Sequence, residues 1–256
     1  MVRIAIVGGG IGGLTVALAL KEFGFEAEIY EQAPALLDVG AAIAVWPNAL
    51  RVLELLGLGD LIRQHAGEIH EIRWLDRRGF LINRIRVSRS VALHRADLQS
   101  TLLHALPPNW LKLGHTLNTC ESVGDKVVAR FANGHEIETD FLIGADGIHS
   151  EVRSQLLGAD QPIYRGYTVW RGIASAHSAA IPTNTAVEIH GSGQRFGIGP
   201  VGNGRIGWWA AANAAEPATS HEHHVEDAQH ELLRLFKGWS PPAVELIEAT
   251  LPQLIL

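Results

Sequence analysis

The sequence predicts an α/β fold in which a parallel sheet comes first and a mainly antiparallel β layer follows. Two observations carry that expectation. A short apolar run, Val2–Val7, is cut off by a glycine cluster, then followed by helically spaced apolar residues and a second β-rich run, Glu26–Glu31. Strand, turn, helix and strand in that order make a βαβ unit with a right-handed crossover and parallel strands. Beyond Pro162 the chain changes character, and strand-like runs succeed one another with glycine turns between them. Such serial runs are the signature of antiparallel pairing.

The elements follow in order. Val2–Val7 is short, apolar and β-branched, as a strand buried on both faces must be. Ile11, Leu14, Ala17, Leu18 and Phe25 then repeat with roughly helical spacing, and Gly24 closes that helix. Pro47 suits the first turn of another helix, with Leu50, Leu53 and Leu56 on its apolar face up to Gly57. Ile69 to Leu93 alternates as strands around a turn at Asp76-Arg77-Arg78-Gly79. Arg95 to Leu106 reads as a helix that Pro107-Pro108 stop. Asn133-Gly134 between Val127–Phe131 and Glu136–Thr139 signals a hairpin, and Phe141–Ile143 is one more buried strand. Tyr167–Ala174, Thr185–His190, Arg195–Pro200 and Arg205–Ala212 are the later strands, and Val225–Phe236 a last helix. Two interleaved domains are expected, with the first at 1–66 and 95–164 and the second at 67–94 and 165–256.

Composition narrows the function. The chain of 256 residues is 47% hydrophobic, which excludes disorder, and a chain of this size buries roughly 70–75% of its unfolded surface. Cys120 stands alone, so neither an internal disulfide nor a cysteine-rich zinc site can form, and a reducing cytoplasm is the expected compartment. The net charge of −6 offers nucleic acid no global basic footprint. Residues 4–20 carry no charge and imitate a signal peptide, with Arg3 before them and Ala17-Leu18-Ala19 at the end. Glycines 8, 9, 10, 12 and 13 break that run, which is also short for a membrane span, so no membrane segment is expected. His221-Glu222-His223-His224 does not fit the H-E-x-x-H zinc pattern; a polar loop and no metal are expected there.

The chemistry starts at Gly8-Gly9-Gly10-Ile11-Gly12-Gly13, a G-x-G-x-x-G run between strand and helix. Gly8 permits the tight turn, Gly10 lets a pyrophosphate approach the backbone, and Gly13 lets the helix pack on the sheet. The helix N-terminus then presents unpaired N–H groups to the phosphates. Glu31, at the end of the next strand, can accept both hydroxyls of a ribose and disfavours a 2′-phosphate. This is a Rossmann-like dinucleotide site for FAD or NAD.

Further stretches separate the two. GGGIGGLTVALALKEFG from Gly8, VGAAIAVWPNALRVLELLGL at 39–58, VALHRADLQSTL at 91–102 and LIGADGIHSEVR at 142–153 together resemble the flavin-dependent aromatic hydroxylases, the para-hydroxybenzoate hydroxylase-like family. GYTVWRG at 166–172 and FKGWSPPAVELIEAT at 236–250 extend the resemblance over nearly the whole chain. It implies that Gly8, Gly10, Gly12, Gly13 and Glu31 hold the ADP half of FAD. It implies that Arg95 meets the flavin's phosphate or ribityl region. Asp146 and Gly147 fall where the family binds FAD and NAD(P)H, with Arg153 on the helix that follows and Ser150 placed to cap it. The implied fold is a Rossmann-like FAD-binding domain interleaved with an antiparallel substrate domain. The implied reaction is an NADPH- or NADH- and O2-dependent hydroxylation of a small aromatic or heteroaromatic molecule, with salicylate-like and urate-like rings as examples. FAD carries the redox chemistry and no protein nucleophile is needed.

Alternatives remain at this point: a catalytically impaired FAD-binding remnant, or an NAD-dependent dehydrogenase. The family's third fingerprint, a Gly-Asp at a strand end, has no match here, so a truncated member is expected, with its flavin ring open to water and its turnover uncoupled into hydrogen peroxide. Arg84 and Arg86 share a side of their strand and are either a docking surface for NAD(P)H phosphates or a solvated face. Arg195 and Arg205 are either substrate anion contacts or exposed strand arginines, and Trp208-Trp209 either pocket wall or core.

Overall fold

A computed structural model describes residues 2–36, 40–159, 161–175, 181–216 and 225–256. In chain order the first elements are β1 (Ile4–Val7), α1 (Ile11–Glu22), β2 (Ala27–Tyr30), β3 (Ala42–Val45), α2 (Pro47–Leu55), α3 (Gly59–His65), β4 (Gly67–Asp76) and β5 (Leu81–His94). Then come α4 (Arg95–His104), β6 (Leu111–Lys112), β7 (Leu117–Val123), β8 (Lys126–Phe131), β9 (Glu136–Thr139), β10 (Phe141–Gly144) and α5 (Glu151–Leu157). The last are β11 (Tyr167–Ala174), β12 (Thr185–His190), β13 (Gln194–Pro200), β14 (Ile206–Asn213), α6 (Val225–Leu235) and α7 (Ala243–Glu248). Contacts group the chain into two units, Met1–Asp38 with Leu98–Ile163, and Val39–Asp97 with Tyr164–Leu256. Residues 39–66 fall in the second unit because β3 pairs antiparallel with β5, from Ala42 opposite His94 to Val45 opposite Val91.

The first unit is built on a parallel sheet in the order β10–β1–β2–β6. All four β1 residues are buried, as expected of a parallel strand covered on both faces. Leu14, Ala17 and Leu18 of α1 are buried as well. Gly24, at φ +77°, ends α1: its N–H donates to Lys21 O at 3.0 Å, and that of Phe25 to Leu20 O at 2.9 Å. That pair of bonds is a Schellman motif, which needs the left-handed residue that glycine supplies. Phe25 itself lies past the helix and is exposed. The antiparallel sheet β7–β8–β9 supplies Leu117, Ala129 and Phe131 to a core shared with Ala5, Val7 and Tyr30. The apolar run that imitates a signal peptide is therefore folded as β1, turn and α1. Among the described residues no helix is long and apolar enough to cross a membrane.

The second unit holds a seven-stranded sheet, β11–β14–β13–β12–β4–β5–β3, in which only β12 and β4 run parallel. One face of it is closed. Trp170, Ile189, Phe196, Ile198 and Trp208 pack there with Ala228, Leu232 and Phe236 of the α6 region and Leu246 and Ile247 of α7. The indole N–H of Trp208 donates to Thr250 Oγ1 at 2.9 Å, so the buried ring leaves no orphan donor.

Candidate functional site

The glycine-rich turn divides its residues by the room around them. Gly8 has φ +109°, and a Cβ there would lie 2.3 Å from Ala145 O. A Cβ on Gly13 would lie 1.9 Å from Gly8 O. Both contacts are with backbone, so these two positions are closed to any side chain. Around Gly10 and Gly12 nothing lies within 4 Å of such a Cβ. Helix α1 starts directly beneath this gap, with neither a side-chain cap nor an acidic residue in its first turn. Free amide donors and the positive end of a helix dipole thus face open space, and the residues present fit a pyrophosphate.

Glu31 closes the turn from the next strand. Its Oε2 accepts the Gly9 N–H at 2.6 Å and its Oε1 accepts the Ala33 N–H at 2.9 Å. Each oxygen keeps a lone pair for one ribose hydroxyl. Gln99 of α4 was not singled out in the sequence, yet it is buried and its Nε2 donates to Gly9 O at 2.9 Å. Nothing in local spacing reveals that contact, which joins residues far apart in the chain.

The second motif is a helix cap. Asp146 Oδ1 accepts from the Ser150 hydroxyl at 2.6 Å, and Oδ2 accepts from the Glu151 and Val152 N–H groups at 2.8 and 3.2 Å. Ser150 Oγ accepts in turn from the Arg153 N–H at 3.0 Å, the cap expected of it. Gly147 stands at φ +83°, in the left-handed region. The Arg153 guanidinium donates to Ile148 O at 2.8 Å and bridges towards Gly147 O at 3.4 Å, bracing the turn. Arg95, at the start of α4, is exposed, its stem packs at the Gly40 backbone, and its guanidinium has no partner among the described residues. Cys120 offers no thiolate: burial first, then Asp146 and Glu151, push its pKa up.

The sheet face of the second unit opposite its core carries a cleft of about 430 Å³. Its walls include Trp46, Trp74 and Trp209, with Arg171 and Glu188 as the charged groups. Of its three glycines only Gly199 leaves the floor open, while Ala42 and Val201 cover Gly207. A Cβ on Gly197 would lie 2.0 Å from Trp209 Nε1, so that indole lies flat across the floor. Of the tryptophan pair, Trp208 serves the core and Trp209 the cleft. Arg195 and Arg205 are both engaged. Arg195 donates to Glu188 Oε1 at 3.2 Å and lies 5.3 Å from the centre of the Trp209 ring, and Arg205 pairs with Asp97 at 2.5 Å. Arg84 and Arg86 do share a face, opposite Arg73 and Glu71 on β4. His221-Glu222-His223-His224 lies outside the described residues.

The comparisons with known proteins agree with this geometry. A family model described as FAD binding domain matches residues 1–251. Aurachin C monooxygenase/isomerase of Stigmatella aurantiaca is 38% identical over 255 residues, covering 96% of this chain and 65% of that protein. FAD-dependent urate hydroxylase of Klebsiella pneumoniae is 33% identical over 262 residues, covering 98% of this chain and 67% of that protein. The crystal structure of Klebsiella pneumoniae HpxO complexed with FAD and uric acid superposes with a TM-score of 0.91 at 31% identity, over 100% of this chain and 67% of that one. The chain thus spans about two thirds of the length of these relatives. With a profile match along nearly its whole length, the chain belongs to the FAD binding domain family.

Proposed function

We propose that this chain holds FAD in the first unit and presents a small aromatic or heteroaromatic substrate in the second, as part of a monooxygenase that consumes NADPH or NADH and O2. The observation that carries the reading is the glycine turn, closed at Gly8 and Gly13 and open at Gly10 and Gly12 above an uncapped helix start. Bound FAD would supply the redox chemistry that delivers one oxygen atom of O2 to the ring.

The remaining work falls to the protein. The amides at Gly10 and Gly12 receive the pyrophosphate, and Glu31 takes the adenosine ribose with its spare lone pairs. Asp146 acts through the turn, since its oxygens are occupied in capping α5. That cap and the Arg153 brace hold Gly147 in the one backbone geometry proposed to meet the cofactor. Arg95 is the proposed contact for the phosphate or ribityl part. In the second unit, the open floor at Gly199 and the tryptophan walls receive a flat ring and exclude water from it. A lone half-buried thiol suits a reducing cytoplasm, the proposed compartment.

Absorbance of the purified chain and fluorescence titration with FAD test the reading. Yellow protein, or saturable uptake of FAD, is expected. Glu31→Gln leaves one acceptor where two amides and a ribose compete, and should weaken FAD about tenfold or more. A folded chain that neither carries nor takes up FAD overturns the proposal.

A further inference from the structure

The hairpin of β4 and β5 ends in a turn that is well braced and exposed. Asp76 organises it: its Oδ1 accepts the Arg78 and Phe80 N–H groups at 2.8 and 2.9 Å, and its backbone N–H donates to Phe80 O at 2.9 Å. Gly79 supplies a left-handed residue at φ +91°, and the Ser240 N–H donates to Arg77 O at 2.9 Å from outside the hairpin. Every residue from Arg77 to Arg86 is exposed. Phe80, Leu81 and Ile82 are three large apolar side chains in succession, at 69%, 53% and 61% exposure, and Ile85 is exposed beyond them.

Around that apolar tip the charge is of one sign. Residues 77–86 hold four arginines, Arg77, Arg78, Arg84 and Arg86, and no acid. None of their guanidinium groups has a hydrogen bond or ion pair among the described residues. Glu71 stands opposite Arg86 but is hydrogen-bonded to Arg73, so this stretch of the ribbon keeps a net positive charge. The apolar side chains stand on both faces of the ribbon. Leu81 lies opposite Leu75, which packs on the core side, whereas Ile85 lies opposite Ile72, which lines the cleft on the other side.

We propose that this hairpin tip is a docking site for a lipid surface that carries anionic headgroups. Apolar side chains on both faces of one ribbon suit a medium that surrounds the tip, since a protein partner laid on one face would leave the other in water. Phe80, Leu81 and Ile82 enter the acyl boundary, and the arginines stay at headgroup level, where phosphate oxygens match the guanidinium fork. A second copy of the chain is the poorer occupant, because a twofold contact would set the four arginines against their own copies with no acid between them. The inference concerns where the protein works and is independent of the cofactor and substrate proposed above.

Cosedimentation of the purified chain with lipid vesicles tests this, in phosphatidylcholine alone and in phosphatidylcholine with about a quarter phosphatidylglycerol. The mixed vesicles should bind the chain about tenfold or more tightly than the neutral ones, and added salt should narrow that gap. Phe80→Ser with Ile82→Ser should weaken binding to mixed vesicles about tenfold or more. Arg84→Gln with Arg86→Gln should do the same, since each arginine near an anionic surface is worth about fivefold. All four side chains are exposed, so circular dichroism and melting temperature should stay at wild-type values. Should the serine pair unfold the chain, Phe80→Ser alone carries the same expectation at smaller size. Phe23→Ser removes an exposed phenylalanine just past α1 and should leave binding intact. Wild-type chain that ignores mixed vesicles overturns the proposal, as does binding that survives either paired substitution. Uptake by neutral vesicles as strong as by mixed ones overturns it too. So does a wild-type dimer in sedimentation velocity that the serine pair splits, with no uptake by vesicles, because that assigns the tip to contact between two copies.

Discussion

Gln99 donates its side-chain amide to the carbonyl oxygen of Gly9 at 2.9 Å, from a position 8% exposed, and so fixes the glycine-rich turn from a helix far along the chain. Gln99→Leu keeps the volume and removes the donor. The Gly9 carbonyl is then left short of a partner, at a cost of about 1–3 kcal/mol. Urea unfolding should register that loss, and FAD titration should show weaker binding. Unchanged stability would mean that water takes over the donor's place.

The glycines of the turn should separate folding from ligand binding. Gly13→Ala drives a methyl group into the Gly8 carbonyl and should cost about 3 kcal/mol or more, with poor recovery of folded protein. Gly12→Ala meets nothing and improves helix propensity by up to about 1 kcal/mol. Its melting temperature should hold or rise. Its methyl group nevertheless occupies the gap proposed for the pyrophosphate, so FAD affinity should fall. A Gly12→Ala chain with full FAD affinity would place the pyrophosphate elsewhere.

Acid should loosen the first unit through Asp140. The Arg3 N–H, donating at 2.7 Å, and then the Lys126 ammonium hold its carboxyl below the usual carboxylate range. A folded-state pKa below the unfolded value adds stability that is complete above about pH 5 and shrinks as pH falls below roughly 4. Glu54, beside Arg63, and Glu71, beside Arg73, are lowered in the same direction in the second unit. Urea midpoints for wild type and Asp140→Asn should therefore differ at pH 7 and draw together as pH falls below the usual carboxylate range. A gap that does not narrow at all on acidification would show that the charge is not its source.

Local sequence determined the parts of this protein that depend on short-range physics. Glycine permits positive φ at Gly8 and Gly147, alternation marks the strands from Tyr167 to Ala212, and Ala228, Leu232 and Phe236 repeat as one helix face. The dinucleotide turn was legible for that reason, since phosphate binding uses backbone amides that the glycines leave accessible. Weak elements were not legible: β6 has two residues, α7 has six, and β7 exposes most of its side chains, so none carries a long periodic signal. Only the tertiary structure decided which charged groups are free. The sequence alone offers Arg195 and Arg205 as candidate anion contacts and gives Arg171 no catalytic role. Pairing across strands and helices then commits Arg195 to Glu188 and Arg205 to Asp97. Such partners are brought together by sheet register and packing over long separations, and no local pattern of residues encodes them.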